Sequence, residues 1–367
     1  MTATSDDDPF DDDDPLNADD PVDDDLLYEL TEARGVPGYE DRVREIVRRE
    51  FADTVDRVRT DAMGNVVGTI AGDADYAVAV AAHMDEIGFM VRHVDDEGFV
   101  RVDALGGFDP RVLRAQRVTV HGEEDLTGVI GSVPPHTLTD EQKEADEEVS
   151  DVFIDLGRDA EAVDELVSVG DLVTLEQTTT RMGDCVTGKA LDDRVCLFAM
   201  LEAARRIDDP DVTVHFAATV QEEVGLRGAH ALGVDIDPDL AVALDVTVAN
   251  DVPQIGEAAD AVTSLGEGAA IKLKDSSVIT SPKVHRRLTG VAESNDIDHQ
   301  HEVLPAGGTD TAGFQTPGGA KPVGAISIPT RYLHTVTETA DVRDVAATID
   351  LLTAFLESET GEHDYTL

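Results

Sequence analysis

The run AVAVAAHMDEIGFMV (residues 77–91) decides how this chain folds. Its first six residues, AVAVAA (77–82), are apolar without a break, the pattern of a strand covered on both faces inside an α/β sheet. Polar His83 and Asp85 follow at once, at the place where open α/β sheets bind ligands, beyond the carboxyl ends of their strands. From Phe89 the texture changes to short alternating strands with Gly-rich turns, so the same run also marks a domain border.

Working outward, YEDRVREIVRREF places Val43, Ile46, Val47 and Phe51 on one helical stripe. GFVRVDAL, QRVTVHG, LTGVIGSVPP and GDLVTLEQ continue the β texture to Gln177. After Gly183 helices and strands alternate again. DDRVCLFAMLEAARRI reads as a helix, VTVHFAATV, LAVALDV and VGAISIP as strands, and residues 342–356 as a last helix with Val342, Ile349 and Leu356 on one side. The expected organisation is an α/β domain over 26–88 and 178–367, interrupted by a small β domain over 89–177. Residues 1–25, with DDDPF and DDDDP, have too little apolar content to offset ordering entropy and are expected to form an acidic tail. DEQKEADEEVSD (140–151) reads as a solvated loop of the β domain.

The chain has 367 residues, and 78 acidic against 28 basic side chains leave a formal charge of -50. Twelve Asp lie in the first 25 residues, so removing that tail still leaves about -38 and the acidity belongs to the folded surface. Such a surface suits concentrated salt, where self-repulsion is screened, and predicts a halophilic protein that loses structure at low ionic strength. It also excludes nucleic acid and anionic membrane as partners, because phosphates would be repelled. Cys185 and Cys196 form no CxxC pair, which leaves neither a disulfide framework nor a thiolate zinc site and points to the cytoplasm. No apolar run approaches a membrane span, and the N-terminus lacks the features of a secretory signal.

Polar residues at strand ends are the candidates for chemistry. His83 and Asp85 follow AVAVAA, Glu222 and Glu223 follow VTVHFAATVQ, Asp245 follows LAVAL, and His334 follows VGAISIPTRYL. Asp192 and Asp193 open the helix DDRVC. Singly, each has an ordinary explanation: an Asp pair caps helices, and a glutamate pair on an acidic chain is one more charged face. Jointly they do not, since polar groups gather at several core strand ends only where something needs them. Two imidazoles and several carboxylates without thiolate form the donor set of a catalytic rather than a structural metal site. On an extended segment His83 and Asp85 face the same side, so His83 would bind metal while the Asp85 carboxylate holds its ring. Of Glu222 and Glu223, one would bind metal and the other would take a proton from the attacking water.

AHMDEIGFMV (82–91), LGGFDPRVL (105–113), GVIGSVPPH (128–136), GKALDDRV (188–195), QEEVGLRGA (221–229), ALDVT (243–247), EVLPAGGTD (302–310) and SIPTRYLHT (327–335) occur in an order that resembles the tetrahedral aminopeptidases, a metallopeptidase family also labelled glutamyl aminopeptidase or endoglucanase. The resemblance runs from about residue 26 to 355. It implies the dinuclear zinc aminopeptidase fold, a central mixed sheet flanked by helices with an inserted small β-barrel-like domain. It implies two divalent metal ions, zinc or cobalt, with Asp192 bridging, His83 and Asp245 on one and Glu223 and His334 on the other. By the same likeness Glu222 is the general base and Asp85 orients His83. The substrates would be peptides trimmed from the N-terminus, and the inserted domain would pair subunits that close into a hollow tetrahedral dodecamer. Asp310, Thr309 and the glycines of GGTD would line the site wall. Cys196 and Leu191 depart from the family's usual Gly and Phe, and neither is among the proposed ligands. His299 and His301 fall outside the implied ligand set and read as structural.

Two other functions compete. A glycosidase needs two opposed carboxyl groups and profits from aromatic platforms, and this chain has no Trp. A metal-loaded, non-catalytic peptide-binding shell would need the reactive positions to be lost, and they are filled with competent residues.

Overall fold

The computed structural model describes residues 22–141, 148–253 and 261–367. The chain first lays down β1 (Arg57–Thr60), β2 (Val66–Ile70) and β3 (Ala77–His83). It then leaves for β4 (Gly88–Val94), β5 (Val100–Leu105), β6 (Arg117–His121), β7 (Asp125–Ile130), β8 (Phe153–Asp155) and β9 (Leu172–Leu175). It returns with β10 (Thr180–Met182), β11 (Cys185–Gly188), β12 (Thr213–Thr219) and β13 (Leu240–Val248), followed by β14 (Ala269–Lys274), β15 (His299–Val303), β16 (Val323–Arg331) and β17 (Glu338–Asp341).

The large sheet runs β1-β2-β12-β3-β13-β16-β17-β11-β10, with β14 bonded to both β15 and β16. Its centre, β12-β3-β13-β16, is parallel, so four carboxyl ends reach one edge. β13 and β16 are buried in all but their last residue, which is why their sequences are continuously apolar rather than alternating. The helix Leu191–Arg206 lies against β3 and β13 and under the helix Val342–Glu357. Its residues are buried from Leu191 through Leu201, leaving no polar face in that stretch. Asp41–Ala52 is amphipathic and buries Val43, Ile46, Val47 and Phe51, the stripe expected from its periodicity.

Strands β4-β5-β8-β7-β6-β9 close into a barrel. β7 alternates exposed and buried residues along its length, as a strand with one face on a core must. Phe89, Val91, Val100, Val102, Val118, Val120, Ile154 and Val173 fill the interior. The folded body begins earlier than residue 26. Val22 packs into the large core, Asp23 caps the helix Asp24–Glu32 by accepting from the Leu26 N–H, and Asp24 pairs with Arg181 at 2.6 Å. One apolar residue, one local cap and one long-range ion pair recruit the end of the acidic run. Its first 21 residues, and 142–147 of the charged loop, lie outside the described residues.

Candidate metal centre

Sheet order turns distant sequence into one site. β3 ends on His83, and β12, its parallel neighbour, ends two residues before Gln221. Asp245 is inside β13, two residues beyond Ala243, which is in register with Ala81, so it stands level with His83. β13 is therefore longer than its apolar run suggests, and its sixth residue rather than its end faces the site. His334 follows β16 after a turn in which Tyr332 and His334 both have left-handed φ, +61° and +59°. Asp192 and Asp193 sit at the start of Leu191–Arg206 with non-helical dihedrals, and their carboxylates turn to the site, that of Asp192 to the two imidazoles and that of Asp193 to the His83 backbone N–H.

The seven residues expected to bind metal or act in catalysis converge. His83 Nε2 is 3.2 Å from Asp192 Oδ1 and 4.0 Å from Glu222 Oε2. His334 Nε2 is 3.4 Å from Asp192 Oδ2 and 3.6 Å from Glu223 Oε1. The two oxygens of Asp192 thus face two different imidazoles. Donor atoms of His83, Asp192 and Asp245, of Asp192, Glu223 and His334, and of His83, Glu222 and Glu223 each lie within 4.8 Å of one another.

Asp85 holds the site together by another route than its carboxylate gripping the ring. Because β3 stops at His83, the alternation of an extended strand does not continue to Asp85. The ring N–H at Nδ1 donates to the Asp85 backbone carbonyl at 3.0 Å, while the carboxylate is 3.6 Å away. A carbonyl can only accept, so Nδ1 carries the hydrogen and Nε2 is turned to the cluster. The Asp85 carboxylate instead accepts the Glu222 and Glu223 backbone N–H groups at 3.0 and 3.1 Å.

Electrostatics show what the cluster lacks. Burial, with Asp245 close by, pushes Glu222 well above the usual carboxylate range, and burial with Asp192 beside it pushes Glu223 to about 7. Burial and the neighbouring Asp193 and Asp192 do the same to Asp245. Burial opposes a charge on the imidazoles, yet Asp192 and Asp85 raise His83 strongly, and Asp192 and Glu223 raise His334 to about 10. Asp192 stays low despite burial because His334 and His83 bond to it. Negative groups this close and this dry need more positive charge than two imidazoles give. Nitrogen and oxygen donors without thiolate suit zinc and cobalt alike, so the residues fit a divalent metal.

A cavity of about 840 Å³ opens over the cluster, walled by Phe108, Leu226, Val246, Leu304 and Leu333 and by the 306–309 loop. Gly107 passes so close that a Cβ there would meet His334 Nδ1 at 3.4 Å. Three further buried carboxylates lie beside the site: Asp310, expected on its wall, Asp193, noted only as the partner of Asp192 in an acidic pair, and Glu338, which the sequence reading missed. Asp193 accepts the His83 backbone N–H at 3.0 Å, Asp310 accepts from the Thr219 hydroxyl, and Glu338 binds the backbone on both sides of the cluster. Asp310 was signalled by its place in GGTD and Asp193 by its adjacency to Asp192, whereas Glu338 had no signal. His299 and His301 lie in β15, their rings 5.9 Å apart and that of His301 5.1 Å from His285, outside these donor triads.

Fold and donor set together are those of an α/β metallopeptidase. The chain belongs to the M42 glutamyl aminopeptidase family, whose pattern matches residues 64–351. A putative aminopeptidase of Acetivibrio thermocellus is 38% identical over 89% of this chain and 96% of its own length. The solved structure of an aminopeptidase from the archaeon Desulfurococcus kamchatkensis matches with a TM-score of 0.87 at 38% identity, covering 91% of this chain and 94% of that one. That of the Pyrococcus horikoshii TET1 peptidase, which can assemble into a tetrahedron or a large octahedral shell, matches at 0.82 and 34%, covering 91% and 99%.

Proposed function

We propose that this protein is an aminopeptidase that hydrolyses the first peptide bond of peptides with two divalent metal ions, zinc or cobalt. The observation that carries this is Asp192, whose two carboxylate oxygens face His83 and His334. Asp192 would be shared, His83 and Asp245 completing one metal's ligands and Glu223 and His334 the other's. When bound, the metals would polarise the scissile carbonyl and acidify water.

The protein's own groups do the rest. Glu222 belongs to neither triad that contains Asp192, which leaves it as the proton acceptor and later donor to the leaving amine. Asp85 fixes both glutamates through their backbone and His83 through its ring, so base and ligands keep their relative positions. No Lys or Arg is among the described residues that line the cavity, and four carboxylates of the cluster are, an environment suited to a peptide's terminal ammonium. A glycosidase is disfavoured because these carboxylates crowd around two imidazoles instead of facing each other across a sugar-sized gap.

Glu222→Gln keeps the size and removes the base. Metal content should match wild type while kcat on aminoacyl anilides falls about 10²- to 10⁴-fold. Near-normal turnover would show that another group takes the proton.

The oligomer and setting belong to the same proposal. The barrel exposes Val129, at 44%, on its outer face and is proposed to pair subunits that build a dodecameric shell around the active sites. A monomer by sedimentation in molar salt would exclude this. The acidic surface is proposed to serve a salt-rich cytoplasm; full retention of secondary structure after dialysis into dilute buffer would argue otherwise.

A further inference from the structure

Resting on the metal-centre reading above, we infer that Glu338 is a positioning residue that sets the spacing of the metal ligands Asp192 and His334. Glu338 opens β17 and is 2% exposed. Its Oε2 accepts the backbone N–H of Asp192 at 3.1 Å, and its Oε1 accepts that of His334 at 2.8 Å. One carboxylate thus ties together two ligand-bearing segments that are 142 positions apart in the chain.

Both segments need such a tie. Ala190, two residues before Asp192, and His334 itself have left-handed φ of +54° and +59°, a conformation that residues with a Cβ seldom hold unaided. Neither N–H points into a regular helix or strand ladder, so the Glu338 oxygens are their buried acceptors. The arrangement repeats what Asp85 does across the site. There Gln221 is left-handed at +56°, and the carboxylate takes the next two N–H groups, those of Glu222 and Glu223. Each half of the cluster is therefore braced by one buried carboxylate on a strained turn.

The chemistry allows only Glu at this place. Both partners donate, so both side-chain oxygens must accept. Gln keeps the length but presents an amide N–H₂ to one donor, leaving two N–H groups opposed. Asp keeps both acceptors but is one methylene short of spanning the two backbones.

The test is a stepwise cobalt titration of full-length protein, stripped with a chelator and kept in molar salt, with wild type, Glu338→Gln and Glu359→Gln side by side. Glu359 is equally buried and hydrogen-bonded, to Tyr365 and His363, away from the cluster. Glu338→Gln should weaken cobalt binding by about 10- to 100-fold, the usual effect of losing a group that orients ligands, and Glu359→Gln should leave it unchanged. Wild-type binding together with an E338Q affinity within twofold overturns the inference, whatever happens to the melting temperature. Wild type that takes up no cobalt overturns the metal-centre reading and this inference with it. If E338Q does not fold, amide exchange of wild type decides: slow exchange of both the Asp192 and His334 N–H supports the clamp, and fast exchange of either removes it.

Discussion

The barrel and the carboxyl edge of the large sheet solve opposite problems within one chain. Among the described residues, the only polar side chains buried in the barrel strands and the loops between them are Thr174 and the His121 ring, which burial keeps from charging. At the sheet edge His83, Asp85, Asp192, Asp193, Asp245, Asp310 and Glu338 are all buried, and Lys272 and Glu302 lie fully buried on neighbouring strands. The barrel gains from apolar burial at about 25 cal/mol per Å² and carries no desolvated charge. The sheet edge accepts that cost in order to hold charge in a dry place, where it acts strongly. Stability and reactivity are thus assigned to different parts, and substitutions should separate them.

The largest separation is expected at Lys272. Its Nζ is 3.1 Å from Glu302 Oε1 and 3.4 Å from Asp275 Oδ2, with no solvent contact. Lys272→Met leaves two buried carboxylates without their cation and should cost about 3–5 kcal/mol, read as a lower urea midpoint in high salt. Adding Glu302→Leu should recover much of that loss, because an apolar pair of similar volume removes the desolvated charge. A single variant within 1 kcal/mol of wild type would mean that the buried carboxylates beside Lys272 do not depend on its charge.

Asp85→Asn should divide function from folding instead. The carboxylate accepts two backbone N–H groups, and an Asn can accept only one of them. The expected loss is about 10- to 100-fold in kcat, with a parallel loss of metal affinity. In the barrier that is about 1.4–2.7 kcal/mol. The urea midpoint should move much less than for Lys272→Met. If it moves as much, Asp85 serves the fold before it serves the site.

How far the sequence reveals each region follows from the same contrast. His83, Asp192, Glu222, Glu223, Asp245 and His334 were legible because each stands beside an apolar strand run or on a motif shared with a family. Glu338 was not. It lies in TVTETAD, among Thr and acidic residues of an already acidic chain, and its partners are backbone groups that no sequence pattern displays. Lys272 looks like the exposed residue of an alternating strand, IKLK, yet it is buried, with Glu302 and Asp275 as its partners. Val22 hid inside a tail whose composition argued against order. Charge that is paired by tertiary contact leaves no local trace, whereas apolar periodicity does.

The smallest expected effect is the one that tests whether the barrel is truly separate. Ile154 on β8 is fully buried and lies opposite Val100 and Ile130. Ile154→Val removes one methylene and should lower stability by about 0.5–1.5 kcal/mol. One path could carry the change to the site: Phe89 in the barrel core stacks on Phe108 at 4.4 Å, and Phe108 walls the cavity. That stack is made by β4 and the 106–109 loop, not by β8, so a methylene lost at Ile154 need not shift it. Turnover by the folded protein should therefore stay within about twofold of wild type, well under the tenfold that 1.36 kcal/mol in the barrier would give. A drop in kcat without a matching loss of folded protein would show that barrel packing sets the shape of the peptide cavity through Phe108, and the division of labour would have to be drawn at that ring instead of at the end of β3.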